Sequence, residues 1–138
     1  MQILVAVLWI MLGATSAGAI PYEDEVASTD ANVDFTQAAP FTRSLAKLGH
    51  AWAQFDLATM LKNGIGVRLD KKEAMVWYRK AAEQKHVGAM RNLARLYQVG
   101  TGEAQDPVHA YFWYSLAAVS DEEAKKVRDQ LEHQMSAE

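Results

Sequence analysis

With 138 residues, half of them hydrophobic, the chain has material for one domain with a real core and not for two. Its formal charge of −3 comes without the concentrated basic stripe that a phosphate backbone requires, which excludes nucleic acid as a partner. The absence of cysteine excludes a disulfide framework, a thiolate metal site, a cysteine nucleophile and lipid attachment through a thiol.

The N-terminus opens on an uncharged apolar run, Ile3 to Leu12, followed by small residues that end in Ala17, Gly18 and Ala19. An apolar core with small residues behind it is the pattern of a secretory signal, and cleavage is expected after Ala19. The run falls short of the about 20 apolar residues of a spanning helix, so no stable membrane insertion is expected after cleavage. No Lys or Arg precedes it, and the alternative is an uncleaved anchor holding a membrane-tethered regulator. Residues 20–39 carry Glu23, Asp24, Glu25, Asp30 and Asp34 with no basic residue and no apolar period. Such a stretch reads as a disordered acidic leader, either a solubilising spacer or a tail that meets a basic partner.

From Pro40 onward the pattern becomes helical, with helices expected at 41–48, 51–63, 71–84, 87–99, 107–119 and 121–135 and no strand. In the second of these, Ala53, Leu57, Met60 and Leu61 recur at the spacing that puts them on one buried stripe. Gly64 can close that helix in the left-handed conformation, and Gly66 keeps the turn open. The third starts at Asp70, whose carboxylate can accept from the first-turn amides, with Glu73 placed to complete a capping box. Its inward stripe is Ala74, Trp77, Tyr78 and Ala81, aromatics filling space and alanines allowing close approach.

The next two helices repeat this pair 36 residues on. Ala53 falls on Ala89, Leu57 on Leu93, Ala58 on Ala94, Gly64 on Gly100, Gly66 on Gly102 and Asp70 on Asp106. Ala74 falls on Ala110, Trp77 on Trp113, Tyr78 on Tyr114, Ala81 on Ala117 and Ala82 on Ala118, while His50 and His86 extend the register upstream. In the second unit Pro107 adds a residue pre-set for the first helical position. Each unit is therefore a helix, a glycine turn and a second helix, and an internal period of this length marks a solenoid.

These residues carry a resemblance to a known family. Ala53-Gln54-Phe55-Asp56-Leu57-Ala58, Asn63-Gly64-Ile65-Gly66-Val67, Asp70, Glu73-Ala74, Trp77 to Ala82 and His86 resemble a Sel-one-like repeat, a relative of the tetratricopeptide repeat. Asn92 to Tyr97, Gly100-Thr101-Gly102, Asp106, Ala110 and Trp113-Tyr114 resemble a second copy. The departures are Ala58 and Ala94, where the family often has glycine, and Glu103, where Val67 leads one to expect an apolar residue. The resemblance covers about residues 41 to 136. It implies an all-α fold, a short right-handed α-α solenoid with units at 51–86 and 87–122 and a C-terminal capping helix at 121–136, all within a domain at 40–138.

A solenoid needs its ends covered. Phe41 to Leu48 reads as a degenerate second helix of a preceding unit. At the other end, Ala124, Val127, Leu131 and Met135 form a helical stripe expected to cover Phe112, Leu116 and Val119, with Ser120 and Glu123 placed for a capping box.

Motifs that could carry chemistry are few. Ser44 and Lys47 match the Ser-x-x-Lys core of penicillin-recognising enzymes, to which some cysteine-rich relatives of the family have been linked, but the accompanying motifs are absent. His50 and His86 should sit about a helix diameter apart, too far to share a zinc, and His109 and His133 have no evident ligand set around them. The glycine turns end helices rather than open them, so no nucleotide cradle is expected.

No metal, cofactor or catalytic residue is therefore assigned. The expected function is that of an exported, periplasmic or secreted, adaptor or scaffold binding another protein, which is what the family resemblance implies. The alternatives are a small cell-wall or β-lactam hydrolase and the tethered regulator. The expected partner surface lies on the first helix of each unit: Trp52, Phe55, Asp56 and Thr59 in one, Arg91, Asn92 and Arg95 in the other, where the two units diverge. Aromatic and arginine side chains together make interface anchors. The competing expectation is that Trp52 and Phe55 pack on the helix at 41–48 while the arginines are merely solvated.

Overall fold

The computed structural model describes residues 35–101 and 105–137. The expected signal segment, all of the acidic leader before Phe35, and Gly102 and Glu103 lie outside the described residues. Among those described there are six helices and no strand: α1 (Ala38–Lys47), α2 (Ala51–Asn63), α3 (Lys71–Glu83), α4 (Val87–Val99), α5 (Pro107–Ala117) and α6 (Glu122–Ser136). Each helix packs chiefly on its neighbours in the chain, α1 on α2, α2 on α3, α3 on α4, α4 on α5 and α5 on α6. This is an α-α solenoid of two helical pairs with a helix at either end.

Helix α1 begins at Ala38, ahead of the expected start and with Pro40 inside it. At the third helical position the amide has no intrahelical acceptor, so a proline there removes no bond. Its alanine face points inward, with Ala39 and Ala46 buried, whereas Phe41 and Leu48 stand in solvent.

The two inter-helix turns are built alike. Gly64 (φ 69°) and Gly100 (φ 77°) both take the left-handed conformation. The following amides, of Ile65 and Thr101, donate to Met60 O at 2.9 Å and Leu96 O at 3.0 Å. Asp70 N donates to Leu61 O and Asp106 N to Tyr97 O, each at 2.9 Å. Both aspartates then cap their helices, accepting from Glu73 N at 2.9 Å and His109 N at 3.0 Å. The orphan donors and acceptors of four helix ends are thereby met in the same way twice. The expected reciprocal bond from Glu73 is absent, because Asp70 N already has Leu61 O. Its carboxylate turns instead to Arg43 Nη1 at 2.6 Å and Trp77 Nε1 at 3.1 Å, tying α1 to α3.

The repeated stripes form the core. Ala53, Leu57, Leu61, Ala74, Tyr78, Ala81, Ala89, Leu93, Ala110 and Ala117 are buried, and Trp77 and Trp113 nearly so. Burial of each large side chain contributes about 1.5–3 kcal/mol, and the alanines between them let the helix axes approach. Gln54, the one buried polar side chain among the described residues, is satisfied at both ends. Its Nε2 donates to Ala46 O at 3.2 Å and its Oε1 accepts from Gln84 at 2.8 Å, so that it links α1, α2 and the end of α3.

Helix α6 differs from expectation in two respects. Its N-cap is Asp121, which accepts from Glu123 N and Ala124 N, and not Ser120; the carboxylate satisfies two of the first-turn amides at once. The helix buries Ala124 and Leu131, with Val127 partly covered, but leaves Met135, Phe112, Leu116 and Val119 exposed. It packs on α5 as α4 packs on α3 and takes the place of a further first helix, whereas Phe112, Leu116 and Val119 face the opposite side of α5.

Candidate interaction surface

On the first-helix face the side chains of the two units follow one another as a continuous polar strip. Thr59 Oγ1 donates to Phe55 O at 3.0 Å and lies 2.9 Å from Tyr78 OH, from which it can accept. Asn92 hydrogen-bonds the same phenol from α4, and burial pushes the Tyr78 hydroxyl above its ordinary value despite these two bonds. In the second unit Arg95 stands where Thr59 would be, and Tyr114 OH donates instead to Gln98 Oε1 at 3.1 Å. Burial likewise raises the Tyr114 phenol.

Beyond Arg95 the strip opens into a cavity of ≈ 300 Å³ between α4, α5 and α6, lined by Arg91, Asn92, Arg95, Gln98, Tyr114, Glu123, Val127 and Gln130. The residues picked out as a partner surface thus separate into groups. Asn92 and Arg95 line the cavity, and Thr59 lies at the head of the strip. Asp56 is exposed beside His86; partial burial raises its carboxyl and the imidazole partly offsets this. Trp52 is 52% exposed with its ring centroid 6.2 Å from that of His50, and so does not find full cover on α1.

Phe55 and Arg91 have structural partners in the following unit. Phe55 stacks on His86 at a centroid distance of 4.6 Å and lies 5.8 Å from Tyr78. His86 is the N-cap of α4, its Nδ1 accepting from Ala89 N at 3.1 Å. Arg91, 36 residues after Phe55, reaches Asp121 at 3.0 Å and Glu123 at 3.1 Å. Both side chains therefore grip the start of the next helix but one, Phe55 of α2 holding α4 by an aromatic face and Arg91 of α4 holding α6 by charge.

The remaining motif residues are also placed. Ser44 Oγ donates to Pro40 O at 2.9 Å within its own helix. His109, for which no carboxylate was evident, has Asp106 Oδ2 at 2.7 Å and Tyr97 stacked at 5.1 Å; three residues along a helix start bring an N-cap side chain and an N3 side chain together. Among the described residues no group of three or more His, Asp or Glu is arranged to hold a metal, and no helix is long and apolar enough to cross a membrane.

A second surface was missed. Val108, Phe112 and Leu116 of α5 and Val119 just beyond its end form an exposed stripe, where the first unit has Lys72, Val76, Lys80 and Glu83. Trp113 divides two open grooves beside it, one of ≈ 500 Å³ with Arg79, Tyr97 and His109, the other of ≈ 520 Å³ with Lys85, Val87 and Met90. The signal was available in the replacement of Lys72, Lys80 and Glu83 by apolar residues at three of these four positions of the repeat.

Two helical pairs stacked at a fixed period, with glycine turns, aspartate caps and a Trp-Tyr pair inside each, define a helical-repeat protein of the solenoid class. The repeats are of one family: the Sel1 repeat matches residues 53–86 and 87–118, and the chain belongs to the Sel1 repeat proteins. It is similar to the crystal structure of a Sel1 repeat protein from Oxalobacter formigenes, with 34% identity over 67% of this chain and 39% of that one and a TM-score of 0.65. It is also similar to a protective antigen present in uropathogenic Escherichia coli strains that displays an SLR fold, with 31% identity over 75% of this chain and 23% of that one and a TM-score of 0.71. The chain thus spans less than half the length of either solved relative. No curated protein matches it.

Proposed function

We propose that this protein is an exported, non-catalytic adaptor that holds a protein partner on the first-helix face of α2 and α4. The observation that carries the reading is the division of labour between repeat positions. Most of those inside the core are identical in the two units, among them Ala53 and Ala89, Leu57 and Leu93, Trp77 and Trp113, and Tyr78 and Tyr114, whereas Trp52, Asp56 and Thr59 give way to Gly88, Asn92 and Arg95 on the polar strip. A solenoid surface freed from packing is where a specific partner is recognised. Sel1 repeats generally mediate contacts between proteins, which supports the class. The apolar run and the small residues before Ile20 support export, with the periplasm as the compartment.

The reading is tested by crosslinking and affinity capture from the native envelope with the full chain as bait, comparing wild type with Trp52→Ala and Arg95→Ala. Recovery of one protein that is lost in either variant, with unfolding unchanged within about 0.5 kcal/mol, supports a recognition surface. Capture that is indifferent to both replaces it with a purely structural role for these residues. Intact mass of the exported protein tests processing, for which a mature start at Ile20 is expected.

A further inference from the structure

Four positions of the second helix carry opposite chemistry in the two units. The first unit has Lys72, Val76, Lys80 and Glu83 there, the second Val108, Phe112, Leu116 and Val119, and all eight side chains are exposed. Helix α3 has α2 and α4 packed against it and α1 tied to it through Arg43 and Glu73, yet its four positions still meet solvent. They therefore face out of the solenoid and not along it, so the apolar row of the second unit is no raw end waiting for a further repeat. The fold does not require this row to be apolar, since the first unit builds the same face from lysine and glutamate. A contiguous apolar row left on the outside of a folded domain marks a surface that is covered in use.

What covers it is indicated by the row itself, which reads nearly the same in both directions. Laid antiparallel against a copy of itself, it sets Val108 against Val119 of the other copy and Phe112 against Leu116 of the other copy. Residues 107–120 contain no Lys, Arg, Asp or Glu, so no like charges meet across the axis. The two open grooves that flank Trp113 are of similar size, ≈ 500 and ≈ 520 Å³, and the same two-fold brings the first groove of one copy to the second groove of the other. Arg79 borders the first, with Asp106 close by on His109 at 2.7 Å, and Glu83 and Lys85 border the second. Each end thus brings one cation and one carboxylate to a like pair on the other copy, and the flanks balance in charge. We propose that the apolar row of α5 is a self-association surface, on which a second copy of the chain packs antiparallel about a two-fold axis between Phe112 and Leu116. A two-fold contact needs one patch that is complementary to itself, which this row is. It uses second helices, leaving α2 and α4 free in both copies, and so joins two first-helix faces into a bivalent unit. A contact built on one helix lies at the small end of specific interfaces, and its dissociation constant is expected at about 10 to 100 μM.

The test is sedimentation velocity of the full chain from about 1 to about 300 μM, over which a monomer–dimer equilibrium of this strength is visible. Leu116→Glu is expected to weaken association at least about tenfold, because it sets a carboxylate against Phe112 of the other copy. Val76→Glu, at the position of Phe112 in the first unit, should leave association unchanged. Both variants should melt within about 3 °C of wild type at about 1 μM, where the chain is monomeric, since each replaces an exposed side chain. The orientation is read by disulfide trapping, for which the cysteine-free chain is suited. Positions 108 and 119 lie about 16 Å apart along one helix, too far for a bridge within a chain. Val108→Cys and Val119→Cys combined in one chain should therefore give a covalent dimer on mild oxidation, and either alone at least about tenfold less of it. A wild type that stays monomeric at the highest concentration overturns the proposal, as does association beyond a dimer, equal loss in Val76→Glu, or single variants that trap as well as the double. A monomeric wild type whose binding to phosphatidylglycerol vesicles, or to a protein captured from the envelope, is abolished by Leu116→Glu overturns it too, by assigning the row to a lipid surface or to a different protein.

Discussion

Phe55 lies face to face with His86, centroids 4.6 Å apart, so that an aromatic side chain of one unit rests on the residue that caps the first helix of the next. The His86 Cε1 and the Phe55 ring edge both lie 3.3 Å from where a Cβ on Gly88 would be, which leaves Gly88 as the residue that admits the stack. Arg91 repeats the grip electrostatically on Asp121. Replacing Phe55 by Ala is expected to cost about 2 kcal/mol, below the range for a fully buried ring because Phe55 is only partly covered. Arg91→Ala should cost no more than about 1 kcal/mol, its charge being well exposed to solvent screening. Urea unfolding of the two variants measures the difference, and an Arg91 loss larger than the Phe55 loss would reverse this assignment.

The tryptophans set the largest single contributions. Trp77 is 8% and Trp113 9% exposed, and truncation of either to Ala is expected to cost about 3 to 5 kcal/mol. Trp77→Phe should recover most of this. It lacks the indole N–H that reaches Glu73 at 3.1 Å, and it offers Lys80, whose Nζ sits 4.3 Å from the Trp77 ring centroid, a weaker face. A loss below about 1 kcal/mol for Trp77→Ala, read by denaturant titration, would mean that the stripe faces water.

Two glycines in one turn should respond differently to alanine. Gly64 and Gly66 both have positive φ, 69° and 66°, and a side chain there costs about 1–2 kcal/mol. At Gly64 the added Cβ meets the Leu69 Cβ at 3.3 Å, a contact a small shift relieves. At Gly66 it falls 2.8 Å from the Phe35 Cβ and closer still to the Phe35 carbonyl, which belongs to backbone. Gly66→Ala is therefore expected to lower the melting temperature more than Gly64→Ala, and equal shifts would contradict the close approach of Phe35.

The Arg43–Glu73 bridge gives a pH dependence with a definite sign. The hydrogen bond from Arg43 holds the Glu73 carboxyl below its ordinary value of 4.5, with Trp77 adding to this and burial opposing it. The unfolded chain thus binds more protons than the folded one at acid pH, and stability falls as pH drops through and below 4.5. Both partners are partly exposed, so the effect is modest. Glu73→Gln should flatten the acid limb of a stability–pH curve, whereas an unchanged limb would show that the bridge does not persist in solution.

The stripe on α5 should tolerate charge. Val108 is 63% and Val119 87% exposed, and Val119→Lys is expected to change stability by less than about 0.5 kcal/mol. Leu131→Ala on α6, whose side chain is buried, should cost about 2–3 kcal/mol. Thermal melts of the two variants check which side of α5 the last helix covers.

The helices, their order and their core faces were legible from residues because each is decided by local or periodic chemistry. Gly64 and Gly100 stop helices by backbone freedom, Asp70 and Asp106 start them by capping, and a 36-residue period marks the core twice. Side-chain allegiance was not legible. Phe55, Arg91, Thr59 and Arg95 all stand outside the core stripe, yet the first two grip the next helix but one, the third bonds Tyr78 and only the last is left without a carboxylate. Similarly, Phe112, Leu116 and Val119 read as a face needing cover, and the structure puts α6 against the other side of α5. One-dimensional spacing tells which residues share a helix face. Which neighbour that face meets depends on the angle at which whole helices pack, and only the assembled solenoid decides it.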